Sequence, residues 1–306
     1  MTRKIRAIWE LTRLEHGLMY GFGVLIGIII AGGRIYEPAS IYGLSLVLPS
    51  FGATFGFFTA LFIQAGTFAL NDYCDLESDI ANQRQDRPLV RGELKKEEAL
   101  LVAILATTIG IIIASFLHPV LFILAFISGV LGILYDLKMK EFLAVSNIYI
   151  ALTMAIPFIF GGLIVEPDRI DLVLLVLAAI AFLTGFGREV MKDIADIKGD
   201  ALRDIKSIAR LYGVKQASRV VLFSYALAVV LSAIPLFSVN TAYYFNLAYL
   251  FPVMAADALF LHTCFQLLKT RDETGDYNRM RKETLLAIGI GLIAFVSGAL
   301  WQVNFL

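Results

Sequence analysis

The chain alternates between long apolar stretches and short polar ones. Nine apolar segments stand out, near residues 16–32, 49–70, 98–116, 119–135, 142–164, 170–187, 219–237, 243–268 and 283–304. A helix that crosses a bilayer needs about 20 apolar residues, and each segment comes close to or passes that length. His118-Pro119 separates the third from the fourth as a helix-ending turn, and Glu166-Pro167-Asp168-Arg169 separates the fifth from the sixth. The pattern predicts an all-α, polytopic membrane protein with nine transmembrane helices. The polar breaks test that count. With the N-terminus inside, every Lys and Arg of the chain except Arg34 and Arg169 falls on the inner side. That is the positive-inside distribution of a membrane protein, and a missed or invented span would scramble it. The same topology puts the C-terminus outside.

Composition agrees. Of 306 residues, 58% are hydrophobic and 17% charged, with a mean hydropathy of +0.77, too little charge for a soluble surface. The formal net charge is zero, so no global field points to nucleic acid. Cys74 and Cys264 make neither a metal-ligand spacing nor a disulfide framework and read as reduced thiols. No obligate protein partner is evident. At the N-terminus, the run after residue 14 is longer than the core of a cleaved signal peptide and lacks a small-residue cleavage site, so it is read as the retained first span. Residues 1–14 mix apolar and basic side chains, as an interfacial helix does, with Trp9 at headgroup depth.

Two polar breaks hold more carboxylates than a membrane protein carries idly. "NDYCDLESD" closes the second span and "KDIADIKGD" follows the sixth. Both place Asp at i, i+3 and i+7: Asp72, Asp75 and Asp79, then Asp193, Asp196 and Asp200. Four spans separate the copies, so they share an orientation, and the chain reads as two parallel four-helix repeats plus a ninth helix. On a continuous helix this spacing aims three carboxylates from one face. An ionised Asp at mid-bilayer costs about 2.5–3.5 kcal/mol, which argues for positions near the inner interface. Carboxylates about 6 Å apart repel by roughly 3 kcal/mol at an effective dielectric of about 20, so a cation is required. Hard oxygen ligands suit Mg²⁺, which shares its coordination with phosphate oxygens and water. Two facing acid clusters with Mg²⁺ make a diphosphate site, and Arg87, Lys138, Arg188 and Lys192 lie in the same inner layer. The competing reading, solvated loop acids, does not explain two triplets of equal spacing on one side. Glu77 falls off the shared face and reads as solvated; Glu189 reads as a supporting partner of the acids.

A diphosphate held at the edge of an apolar bundle suggests a lipid-tailed donor, above all an allylic prenyl diphosphate. Its C–O bond ionises when metal and basic side chains neutralise the leaving group. Aromatic faces stabilise the resulting allylic cation, and the chain has 23 Phe and 12 Tyr.

These segments resemble the UbiA superfamily of intramembrane prenyltransferases over essentially the whole chain. "NDYCDLESD" matches the family's NDxxDxxxD pattern at Asn71, Asp72, Asp75 and Asp79. "DIADIKGD" matches its second acid motif at Asp193, Asp196 and Asp200, and "YDLK" matches YxxK at Tyr135 and Lys138. "DRPLVRG" is the fourth matching stretch. The resemblance implies a single domain over residues 1–306, with nine helices in a ring around a central cavity. Cytoplasmic cap loops over 71–97 and 188–218 would carry the acid motifs. It implies that Asn71 and the six Asp residues hold Mg²⁺ and diphosphate, that Arg87 and Lys138 contact the diphosphate, and that Tyr135 sits by the departing group. Within the superfamily, "GREVMKDIADIKGDALRDIKSIARLYG" resembles the archaeal branch that makes membrane ether lipids by moving a geranylgeranyl group onto geranylgeranylglyceryl phosphate. That acceptor's phosphate needs a basic subsite, assigned to Arg13 or Lys192. His16 either assists proton removal from the hydroxyl or is an interfacial polar residue. "RLEHG" replaces the Arg-Pro that many quinone-pathway members carry near the first span, which disfavours the alternative of an aromatic acceptor in quinone or haem synthesis. A CDP-alcohol phosphotransferase lacks support because its Asp-Gly and Ala-Arg pairs are missing around Asp72. A cation-coupled transporter would place its charges at mid-span.

Overall fold

A computed structural model describes residues 3–41, 44–142, 144–197, 206–270 and 275–301. Helices α1 (Arg3–Thr12) and α2 (Leu14–Ile30) lead into an antiparallel hairpin, β1 (Tyr36–Ile41) and β2 (Leu44–Pro49). Then come α3 (Phe51–Cys74), α4 (Leu76–Ala81), α5 (Lys96–Ser115), α6 (Pro119–Leu137), α7 (Val145–Val165) and α8 (Leu172–Ala195). The chain ends with α9 (Ile208–Tyr212), α10 (Val214–Ser232), α11 (Ile234–Phe237), α12 (Leu247–Lys269) and α13 (Tyr277–Trp301). Among the described residues, eight helices are long and apolar enough to cross a membrane. The bent pair α1–α2, which turns by 50°, makes up to nine. Each expected apolar segment holds a helix within its described residues.

The boundaries move where hydrogen bonds outlast hydropathy. α3 runs on to Cys74 and α8 to Ala195, past the last apolar residues, so each carries the start of an acid motif on its final turn. The hairpin was not expected. Its register pairs Tyr36 with Pro49 and Ile41 with Leu44.

The chain divides into two compact units. One comprises Met1–Met139 with Pro157–Ile170, the other Lys140–Ile156 with Asp171–Leu306. The boundary falls near the joint between the two sequence repeats, and α7 gives its first half to one unit and its second half to the other.

In membranes helices associate through close backbone approach, and small residues permit it. In the first unit α2 meets the second half of α7 so tightly that a Cβ on Gly161 would lie 2.0 Å from the Val24 carbonyl oxygen, and one on Gly27 2.2 Å from that of Phe158. In the second unit α8 and α10 enclose a core of Val190, Met191, Val221 and Tyr225. At its far end the Tyr243 hydroxyl donates to the Phe295 carbonyl at 2.7 Å, tying the segment before α12 to α13.

Candidate functional site

The first acid motif is built on the end of α3. Ser50 caps the helix start, its hydroxyl accepting from the Ala53 amide at 3.2 Å, and the helix closes at Asp75, whose amide donates to the Asn71 carbonyl at 2.9 Å. A new short helix, α4, then begins, and the Asp79 amide donates to the Asp75 carbonyl at 2.8 Å. The triplet therefore does not share one continuous helix face, as its spacing had suggested. Asp72 lies inside α3, Asp75 at the joint and Asp79 on α4.

Asp72 is 1% exposed. Its Oδ1 accepts from Arg13 Nη2 at 2.8 Å and lies 3.1 Å from Arg87 Nη1, while its buried Oδ2 has no hydrogen-bond partner among the described residues. Arg87 Nε also lies 3.6 Å from Asp79. Burial raises the Asp79 pKa above the usual carboxylate value, opposed by the nearby guanidiniums of Arg87 and Arg84. On the other side, the hydrogen bond from Arg84 holds Asp86 well below its usual value.

Elements distant in sequence deliver these cations. Arg13 occupies the break between α1 and α2 in a left-handed conformation (φ 43°), uncommon for a residue with a Cβ, and its guanidinium stacks over Phe68 at 4.5 Å. His16 stands edge-on to the same ring at 5.6 Å, with a side chain 53% exposed. Arg87 sits on the loop between α4 and α5, which α1 clamps. Ala7 and Leu11 bury against Leu89, Leu94 and Ala99, Lys4 pairs with Glu98 at 2.8 Å, and Arg91 bridges Glu10 and Glu93. Gly92 (φ 68°) makes the turn between Arg91 and Glu93. The outward face of α1 exposes Ile5, Ile8 and Trp9.

Two residues outside the expected set complete this cluster and its counterpart. Asp136, 2% exposed at the end of α6, accepts from the Asn71 amide nitrogen at 3.0 Å, and the same nitrogen donates to Asp75 at 3.1 Å. It stood in plain view inside "YDLK", next to Tyr135. Tyr135 is half-buried on α6, and Lys138 caps that helix from an exposed position. The other residue is Asn147 on the first turn of α7, the polar interruption of the fifth apolar segment. Its amide nitrogen donates to Asp193 Oδ2 at 2.8 Å.

The second motif repeats the helix-end geometry. Asp193 lies on the last turn of α8, and Asp196 caps it, its amide donating to the Lys192 carbonyl at 3.0 Å. Asp200 lies outside the described residues. The basic residues expected here have other partners. Lys192 pairs with Glu189 at 3.0 Å, so Glu189 supports that lysine. Arg188 is directed at α13, where its Nη1 donates to the Arg281 carbonyl and to Thr284 Oγ1. Its described bonds are those of a helix tie, not of a cation turned toward the acids.

Among the described residues no three acid, His or Cys side chains close a cage around a metal. An ion held by Asp72, Asp75 and Asp79 would draw much of its shell from phosphate oxygens and water, which is the habit of Mg²⁺. The all-oxygen donor set and the unpartnered Asp72 Oδ2 fit such an ion. Arg13 and Arg87 beside it are fitted to bind phosphate oxygens through two nitrogens each.

Residues 47–287 match the UbiA prenyltransferase family. The chain is 45% identical to digeranylgeranylglyceryl phosphate synthase of Archaeoglobus fulgidus, over 98% of its length and 97% of that protein's. It is 32% identical to the Thermococcus kodakarensis protein of that name, over 97% and 99%. A solved structure concerning digeranylgeranylglyceryl phosphate synthase in membranes superposes with a TM-score of 0.79 at 26% identity, over 98% of this chain and all of that one. A UbiA homolog from Archaeoglobus fulgidus bound to DMAPP and Mg²⁺ superposes at 0.67 over 98% of this chain and 100% of that one, and at 16% identity it speaks to the fold.

Proposed function

Because the chain belongs to the UbiA prenyltransferase family, we propose that this membrane-embedded enzyme performs the reaction its full-length relatives are named for. It transfers the geranylgeranyl group of geranylgeranyl diphosphate to the free hydroxyl of geranylgeranylglyceryl phosphate, in archaeal ether-lipid synthesis. The acceptor oxygen bonds to C1 of the donor, the C1–O bond to diphosphate breaks, and the hydroxyl proton leaves. The observation that carries the reading is the junction of Arg13, Asp72 and Arg87 at the inner end of α3, cations and acids poised together where an apolar helix meets water.

Asn71, Asp72, Asp75 and Asp79, with Asp193, Asp196 and Asp200, would hold Mg²⁺, which supplies neutralisation of the leaving diphosphate. Arg87 and Lys138 bind diphosphate oxygens, and Tyr135 flanks the departing group. Arg13, next to Asp72, serves the phosphate of the acceptor or the diphosphate beside it. His16, across Phe68 from Arg13, takes the hydroxyl proton. Lys192, paired with Glu189, contributes charge at the rim, and Arg188 serves helix packing. The apolar helices take up the isoprenoid tail and exclude water, which would quench an allylic cation. The site faces the cytoplasm, beside the N-terminus, and the exposed apolar stripe of α1 rests in the membrane interface.

The test is an acceptor panel with purified protein and radiolabelled geranylgeranyl diphosphate. Label should enter geranylgeranylglyceryl phosphate and not aromatic acids. Label entering only the aromatic acceptor would move the protein to the quinone or haem reaction.

A further inference from the structure

Aligned on their aspartates, the two acid motifs part at the residue before the first Asp: Asn71 precedes Asp72, but Lys192 precedes Asp193. The second motif lacks an amide of its own. The fold supplies one from elsewhere. Asn147, 46 residues upstream on another helix, places its Nδ2 2.8 Å from Asp193 Oδ2. The side chain is not there by default, since Asn147 is 4% exposed at the start of a membrane helix. An amide buried in such a place without a partner costs about 1–3 kcal/mol. The chain also enters α7 through Ala144 in the left-handed region (φ 60°), a conformation that costs an alanine about 1–2 kcal/mol. That residue sets the direction of the turn that carries Asn147.

The orientation of the amide follows from its neighbours. An ionised carboxylate only accepts hydrogen bonds, so the NH₂ of Asn147 faces Asp193 and its carbonyl oxygen faces away. Asn71 obeys the same rule, its NH₂ meeting both Asp75 and Asp136. We propose that Asn147 is the positioning residue of the second acid motif, an amide donor to its first aspartate. It holds the Asp193 carboxylate in the rotamer that binds the metal-diphosphate. The inference rests on the proposed role of Asp193 in that binding.

The test compares wild type, Asn147→Ala and Asn147→Gln in two readouts. One is the binding of Mn²⁺ with inorganic pyrophosphate, followed by electron paramagnetic resonance without prenyl substrate. The other is the Mg²⁺ concentration that gives half-maximal transfer. Loss of a group that orients a metal ligand costs roughly 10–100-fold in metal affinity. Asn147→Ala should therefore weaken Mn²⁺ binding about tenfold and raise the half-saturating Mg²⁺ in parallel. The acceptor KM should stay unchanged, and Asn147→Gln should recover part of the loss. In an Asp193→Asn background, Asn147→Ala should add nothing. If Asn147→Ala lowers the melting temperature but leaves both metal readouts at wild-type values, Asn147 only ties α7 to α8 and the proposal is overturned. Should Asn147→Ala not fold, Asn147→Gln decides by the same readouts. Wild type that binds Mn²⁺ and pyrophosphate but prenylates no lipid acceptor would sink the proposed function, while the binding arm would still judge Asn147.

Discussion

The two acid motifs sit at the same place in their helices and are met by different side chains. In both, the second aspartate closes the helix: Asp75 ends α3 and Asp196 ends α8. Around the first, two guanidiniums and a buried fourth acid gather, with Arg13 and Arg87 on Asp72 and Asp136 on the Asn71 amide. Beside the second, Asn147 donates to Asp193, while Lys192 pairs with Glu189 and Arg188 with α13. The repeat preserves where carboxylates sit, because helix-end hydrogen bonding follows from local sequence. What balances them is set by whichever distant element packs there. On the proposed reading, the guanidiniums beside the first motif bind phosphate oxygens next to the metal that both motifs hold.

The strongest test of that division removes the shared feature. Asp75→Asn and Asp196→Asn should each lower turnover by about a thousandfold, read as label transferred at saturating Mg²⁺. Retained activity in both would refute the metal assignment for both motifs.

The next contrast sets Arg87 against Arg188, two residues of like chemistry that the sequence places in one layer. Arg87→Ala removes a cation shared by Asp72 and Asp79, and kcat/KM for the donor should fall about a hundredfold. Arg188→Ala removes bonds to Arg281 and Thr284. It should cost about 1–3 kcal/mol of stability, seen as a lower melting temperature, with donor KM unchanged. Equal effects on donor KM would erase the contrast.

A smaller effect concerns pH. Burial raises the pKa of Asp79, so its neutral form persists to higher pH than that of a solvated carboxylate, and on the proposed reading protons compete there with metal. Half-saturating Mg²⁺ should rise as pH falls through the acid range, and Asp79→Asn should flatten that dependence. The smallest effect belongs to Lys192, whose side chain is 52% exposed. Lys192→Ala should change stability by no more than about 0.5 kcal/mol, measured by thermal unfolding.

Much of this was legible in the sequence. Apolar length marked the membrane-length helices, eight or up to nine among the described residues, because the thickness of the bilayer imposes it. The acid spacing marked both helix ends. Helix boundaries were less legible: α3 and α8 extend into their motifs because backbone hydrogen bonds, not apolarity, decide where a helix stops. The hairpin at Tyr36–Pro49 was hidden by reading the chain for helical spans alone. Asp136 and Asn147 were missed for a different reason. Their partners lie 65 and 46 residues away, and no local pattern reports a contact of that range. The same holds for Arg188, whose ties to α13 span more than 90 residues.

The central claim, that the acid motifs act through divalent metal on a prenyl diphosphate, is met most directly by one titration. Purified protein is freed of metal with a chelator, given radiolabelled geranylgeranyl diphosphate and geranylgeranylglyceryl phosphate, and supplied with increasing Mg²⁺. The account predicts no product without metal, a saturable rise on adding Mg²⁺, and no rise in Asp75→Asn. Product formed at full rate in the chelated enzyme would contradict it.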